Sequence, residues 1–178
     1  MMKQQEIIRR TVPFIIMNPT ATVNDIAKNA GISRATFHRT FTGRDELYDV
    51  MARACIEEID TALKGLERKL DLFESLKDIV DVLIELGDRV YFLYYYPDGL
   101  NSDELRQECH AILKPLYTVV IKMYKKKMLN QNVNEGWIIN TINNYVSIAW
   151  VQVYVGNVTQ AEAVENTMQM LLHGVVAY

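Results

Sequence analysis

The sequence predicts an all-α protein in which three short helices precede a larger helical body, about nine helices in total. Three observations predict it. Only four prolines and eight glycines interrupt 178 residues, too few for a turn-rich β architecture. Apolar residues recur at helical spacing in segment after segment, and no segment alternates apolar with polar as a half-buried strand would.

Hydrophobic residues make up 49 % of the chain and charged residues 23 %, the balance of an ordinary globular protein. No run approaches the ~18 consecutive apolar residues of a membrane span. The opening MMKQQEIIRRTV has charges but no apolar stretch of the secretory kind. Two cysteines, Cys55 and Cys109, cannot build a disulfide framework, and a cytoplasmic location without membrane attachment is expected. The net charge of −3 hides an asymmetry. Residues 1–50 hold seven basic against five acidic side chains, and the remainder holds twelve against seventeen. A mildly basic head on an acidic body suits a nucleic-acid reader joined to a separate sensing or pairing domain.

The elements follow in order. Residues Lys3–Met17 carry Ile7, Ile8, Val12, Ile15 and Ile16 on one broad face. Pro13 lies inside, and a kink or irregularity is expected there because proline lacks the N–H of the helical ladder. Asn18-Pro19-Thr20 ends that helix. Two short helices, Val23–Ala30 and Arg34–Thr40, are separated only by Gly31-Ile32-Ser33. A longer helix from Arg44 to about Lys69 buries Leu47, Met51, Ala54, Ile59, Leu63 and Leu66. Another runs from about Ser75 into Tyr91-Phe92-Leu93-Tyr94-Tyr95-Tyr96 and stops at Pro97-Asp98-Gly99. Residues 102–129 form one or two helices, with Pro115 as a break or first-turn residue. Gly136–Val155 and Gln160–Val176 form the final pair.

The stretch Thr22–Phe41 reads as a helix-turn-helix. Thr22 is an N-cap, and Asp25 three residues on makes a capping box with a shorter acid. Ile26 and Ala30 face inward, and small Ala27 allows close approach. Gly31 occupies a tight turn that requires positive φ. Ile32 plugs the corner, and Ser33 caps the second helix. Phe37 and Phe41 bury one face of that helix. The opposite face presents Arg34, Ala35, Thr36, His38, Arg39 and Thr40, side chains suited to base edges and phosphates. Seven helical residues span about 10 Å, enough to enter a major groove. These features make residues 1–47 a three-helix DNA-binding domain, and residues 48–178 are expected to be a helical regulatory and dimerisation domain.

Ala21-Thr22-Val23, Asp25-Ile26-Ala27, Ala30-Gly31-Ile32-Ser33, Thr36-Phe37, Phe41 and Arg44-x-x-Leu47 together resemble the N-terminal domain of the TetR/AcrR family of transcriptional regulators, over roughly residues 5–50. The resemblance implies that Thr22, Ser33, Thr36 and His38 hold phosphates, with Arg34, Ala35 and Arg39 near bases. Arg44 stands where the family usually has lysine and keeps the charge. His38 replaces a common tyrosine, and Thr40 replaces the usual histidine or tyrosine, so operator preference is this chain's own. Repression of a double-stranded DNA operator is the family's usual mode.

A single seven-residue reading helix supplies little specificity, so a homodimer is expected, its half-sites one helical turn apart, ~34–36 Å. The last two helices are more apolar than an exposed pair needs, and in the family the equivalent pair builds a four-helix dimer bundle. Tyr145, Ile148, Val164, Met168, Leu171, Leu172 and Val175 are the expected interface. Tyr91, Tyr94, Tyr95, Tyr117, Met123, Trp150 and Tyr154 are the candidate lining of a pocket for a small, mostly apolar or aromatic effector. Core packing explains such aromatics too, and a protein-interaction module with no small effector is the alternative body. Lys125-Lys126-Lys127 reads as a solvated helix end. Three scattered histidines, no glycine-rich phosphate loop, no nucleophile elbow and no metal-ligand spacing argue against an enzyme, a cofactor or a metal.

Overall fold

A computed structural model describes residues 4–96 and 103–175. They form ten α-helices and one 3-10 turn, and no β-strand occurs among the described residues. The helices are α1 (Gln4–Met17), α2 (Val23–Asn29), α3 (Arg34–Thr40), α4 (Arg44–Leu63), α5 (Leu72–Glu85), α6 (Gly87–Tyr95), α7 (Asp103–Ala111), α8 (Lys114–Lys125), α9 (Glu135–Tyr154) and α10 (Gln160–Val175), with the 3-10 turn at Leu66–Arg68. The protein is all-α with an N-terminal helix-turn-helix, as the sequence predicts.

Boundaries differ from the pattern in three places. The helix is continuous through Pro13, and α4 ends six residues before Lys69, where Gly65 leaves the helical region (φ 88°) ahead of the 3-10 turn. The helix foreseen from Ser75 to Tyr96 is two. α5 starts earlier, because Asp71 accepts from the Phe73 and Glu74 amides. It stops at Leu86, and α6 begins at Gly87. The stop signal Pro97-Asp98-Gly99 lies outside the described residues.

The chain divides into two compact units, residues 1–58 with 88–111 and residues 59–87 with 112–178. In the first, Ile7, Val12, Ile15, Ile26, Phe37 and Phe41 are buried with Leu47, Met51 and Cys55 of α4 and with Phe92 of α6. Burial pushes the Cys55 thiol far up and that of Cys109 to about 11, so both stay protonated. Arg89 reaches Glu58 (3.0 Å) and Asp88 (2.6 Å), and Arg9 lies 3.7 Å from Glu58. Burial works against the Arg89 charge, and its two carboxylates more than offset that.

In the second unit α5, α8, α9 and α10 pack around Ile79, Leu83, Leu116, Val120, Met123 and Ile142. Gly87 meets Trp150 so closely that an added Cβ would lie 2.3 Å from the Trp150 Cβ. Asn143 is buried with its Oδ1 unpartnered.

Candidate nucleic-acid interface

The helix-turn-helix is built by local rules. The Thr22 amide donates to Asp25 Oδ2 (2.8 Å), the Asp25 amide donates to Thr22 Oγ1 (3.3 Å), and the Thr22 hydroxyl donates to the same carboxylate (2.6 Å). These bonds, the side-chain one foremost, hold the Asp25 carboxyl below its ordinary value. At the other end of α2, the Gly31 amide donates to Lys28 O and the Ile32 amide to Ala27 O. Gly31 adopts φ 73°, which glycine takes at little cost. Ser33 then caps α3 by accepting from the Thr36 amide (3.1 Å). Phe37 and Phe41 are fully buried, their ring centroids 5.2 Å apart.

Fixing that inner face leaves Arg34, Ala35, His38, Arg39 and Thr40 exposed on α3, with Thr36 half-buried. Thr36 Oγ1 sits 2.9 Å from Ser33 Oγ and accepts from Arg39 Nη2 at 3.1 Å. The Thr40 hydroxyl donates to Thr36 O (2.9 Å), and the His38 ring meets Phe37 edge-on. α3 contains no acidic residue, so Arg34 and Arg39 give its exposed face a net positive charge. Such a face can donate to phosphates and to base-edge acceptors.

Thr22 and Arg44 are placed differently from the α3 residues. The Thr22 hydroxyl is committed to Asp25. Arg44 is half-buried at the start of α4, and its guanidinium donates to Pro19 O (2.9 Å), Ala21 O (3.3 Å) and the Tyr48 hydroxyl (2.6 Å). Sequence spacing does not disclose these bonds to a loop more than twenty residues upstream, and Tyr48 was not singled out by it.

The expected pocket residues fall in both units. In the first, the Tyr91 and Tyr95 rings lie with centroids 4.3 Å apart, tilted by 34°, and Tyr94 meets Tyr95 at 5.0 Å. Burial, partial as it is, raises the Tyr95 phenol above its ordinary value. In the second, buried Trp150 lies 5.4 Å from half-exposed Tyr154, Tyr117 is half-buried and Met123 is fully buried. The expected interface residues divide three ways. Tyr145 and Ile148 line a depression of about 120 Å³ between α9 and α10, with Met170 opposite. Val164, Met168 and Leu172 line a groove of about 670 Å³ between α10 and α5. Leu171 is core, and the Val175 side chain lies outside the described residues.

Among the described residues no group of three or more His, Cys, Asp or Glu could hold a metal ion, and no helix is long and apolar enough to cross a membrane.

Residues 19–51 match the family model described as bacterial regulatory proteins, tetR family. Over 144 residues, 76 % of this chain and 73 % of the relative, the sequence is 28 % identical to the helix-turn-helix transcriptional regulator YvdT of Bacillus subtilis. Over 89 residues it is 33 % identical to the transcriptional repressor LfrR of Mycolicibacterium smegmatis, covering about half of each chain (49 % and 47 %). The fold is similar to that of LfrR in complex with proflavine, with a TM-score of 0.77 over 98 % of this chain and 97 % of that one at 22 % identity. It is also similar to the ketosteroid regulator KstR2 of Mycobacterium tuberculosis, with a TM-score of 0.74 over 100 % and 98 % at 14 % identity.

Proposed function

The chain is a DNA-binding transcriptional regulator of the TetR family, and from that premise we propose that it is a homodimeric repressor released from its operator by a small aromatic ligand. Residues 1–47 are its reading domain and residues 48–178 its regulatory and dimerisation domain. Arg34, Ala35 and Arg39 lie against bases, while Ser33, Thr36, His38 and Thr40 reach phosphates. Thr22 contributes there through its place at the start of α2. The observation that carries this reading is the acid-free, exposed face of α3 held on two buried phenylalanines.

Pairing through α9 and α10 is supported by large apolar side chains left in solvent, with Ile148 58 %, Met170 56 % and Trp137 70 % exposed. An apolar face of this kind marks a protein contact. A planar effector is supported by the Tyr91–Tyr94–Tyr95 cluster and the Trp150–Tyr154 pair, and by the repressor LfrR, a similar protein, having been crystallised with proflavine. The cytoplasm is the compartment where such a regulator meets its operator.

Selection from a random duplex pool by the wild-type chain defines the operator. Changing Arg34 and Arg39 to alanine should then remove specific binding to the selected duplex and leave the thermal melt unchanged. Retained affinity would refute the placement of the reading helix. Proflavine, titrated into the operator complex, tests the effector class by release of the DNA.

A further inference from the structure

We propose that Arg44 and Tyr48 are a positioning pair for DNA reading, with the Arg44 guanidinium turned into the protein instead of onto a phosphate. The proposal rests on the DNA-reading role of α2 and α3. Arg44 Nε and Nη2 both donate to the Tyr48 hydroxyl, at 2.9 and 2.6 Å. Nη2 also donates to Pro19 O and Nη1 to Ala21 O, and the guanidinium lies 5.1 Å from the Tyr48 ring centroid. A rigid planar fork spreads its donors over three nitrogens to reach two carbonyls and a hydroxyl, whereas a lysine ammonium has all its donors on one nitrogen at the end of a flexible stem.

The two carbonyls belong to the loop that runs directly into Thr22, the cap of α2. Buried Tyr48 is fixed in turn, its ring edge-on to Phe92 (5.7 Å) and to Tyr96 (6.2 Å). Arg44 therefore ties the entry of the helix-turn-helix to the body of α4. Swinging outward to a phosphate would break all of these bonds. An exposed basic side chain waiting for DNA would have its donors in water.

The test compares the wild-type chain with Arg44→Lys, Arg44→Gln, Tyr48→Phe and Arg39→Ala. The probes are the duplex selected by the wild type and a scrambled duplex of equal length, titrated across a salt series with the melting temperature recorded for each variant. Arg44→Lys and Tyr48→Phe should each weaken the selected duplex roughly tenfold, with scrambled-duplex affinity and salt slope unchanged. Arg39→Ala should lower the salt slope by about one. Wild-type affinity in Arg44→Lys, or a slope about one lower in Arg44→Gln, would overturn the proposal, since either marks a phosphate contact. So would a lower melting temperature with an unchanged ratio of selected to scrambled affinity. Failure of the wild type to select any duplex would remove the DNA-reading premise itself, a distinct result.

Discussion

Three exposed carboxylates perform one task at three helix starts. Asp25 accepts from Thr22, Glu46 from the amide and hydroxyl of Thr42, and Glu162 from those of Thr159. Each is stabilised in its ionised form, so each pKa lies below the ordinary value, 3.8 for Asp25 and 4.5 for the glutamates. A depressed carboxylate contributes stability that is complete above its unfolded pKa and is lost as pH falls through the lower folded value. Asp25→Asn should therefore melt below the wild type near neutral pH, and the two melting curves should converge as pH drops below about 3.8. A gap that stays constant through that range would show that the charge contributes nothing. The Thr22–Asp25 cap was legible because its partners sit three residues apart. The Arg44 clasp was not, because its acceptors are backbone carbonyls that any sequence would supply.

At the scale of elements, periodicity located every helix and misjudged where one becomes two. Nothing between Ser75 and Tyr96 forbids a continuous helix, since the segment has a single glycine and no proline. The break falls at Gly87, where Trp150, 63 positions away in the chain, packs in the space a Cβ would occupy. Gly87→Ala should cost roughly 1–3 kcal/mol of stability, as overpacking of a filled core does. Urea unfolding would measure it, and an unchanged midpoint would show that Trp150 moves aside freely. The same limit explains the interface residues named on α10. Val164, Met168, Leu171, Leu172 and Val175 are alike in sequence, yet three face the α5 groove and one lies in the core. Only the neighbours of a helix distinguish its apolar faces.

For the whole molecule, the proposed pairing through α9 and α10 makes a demand on mass as well as on DNA. Ile148→Glu combined with Met170→Glu places charges on the exposed apolar face without touching the core. The variant should sediment as a monomer with an intact helical spectrum, and its binding to a two-fold operator should fall by more than tenfold, because linked half-sites share one search. A wild-type mass in the variant would move the interface elsewhere on the second unit. The helix-turn-helix was legible in the sequence because a capped turn and a phenylalanine pair are local devices. The use of Tyr91, Tyr95, Trp150 and Tyr154 was not, since aromatics at helical spacing pack a core as readily as they line a cavity.

The cap at Thr22, the turn at Gly31 and the cap at Ser33 complete their bonds within the protein alone. The reading helix is thus shaped before any duplex arrives, and little conformational entropy remains to be surrendered on contact. Association then becomes a matter of diffusion and of the field around Arg34 and Arg39, which ionic strength tunes directly. In the proposed dimer, regulation has its natural leverage on the lifetime of the complex and on the spacing of the two reading heads, because the heads themselves have no folding step left to withhold.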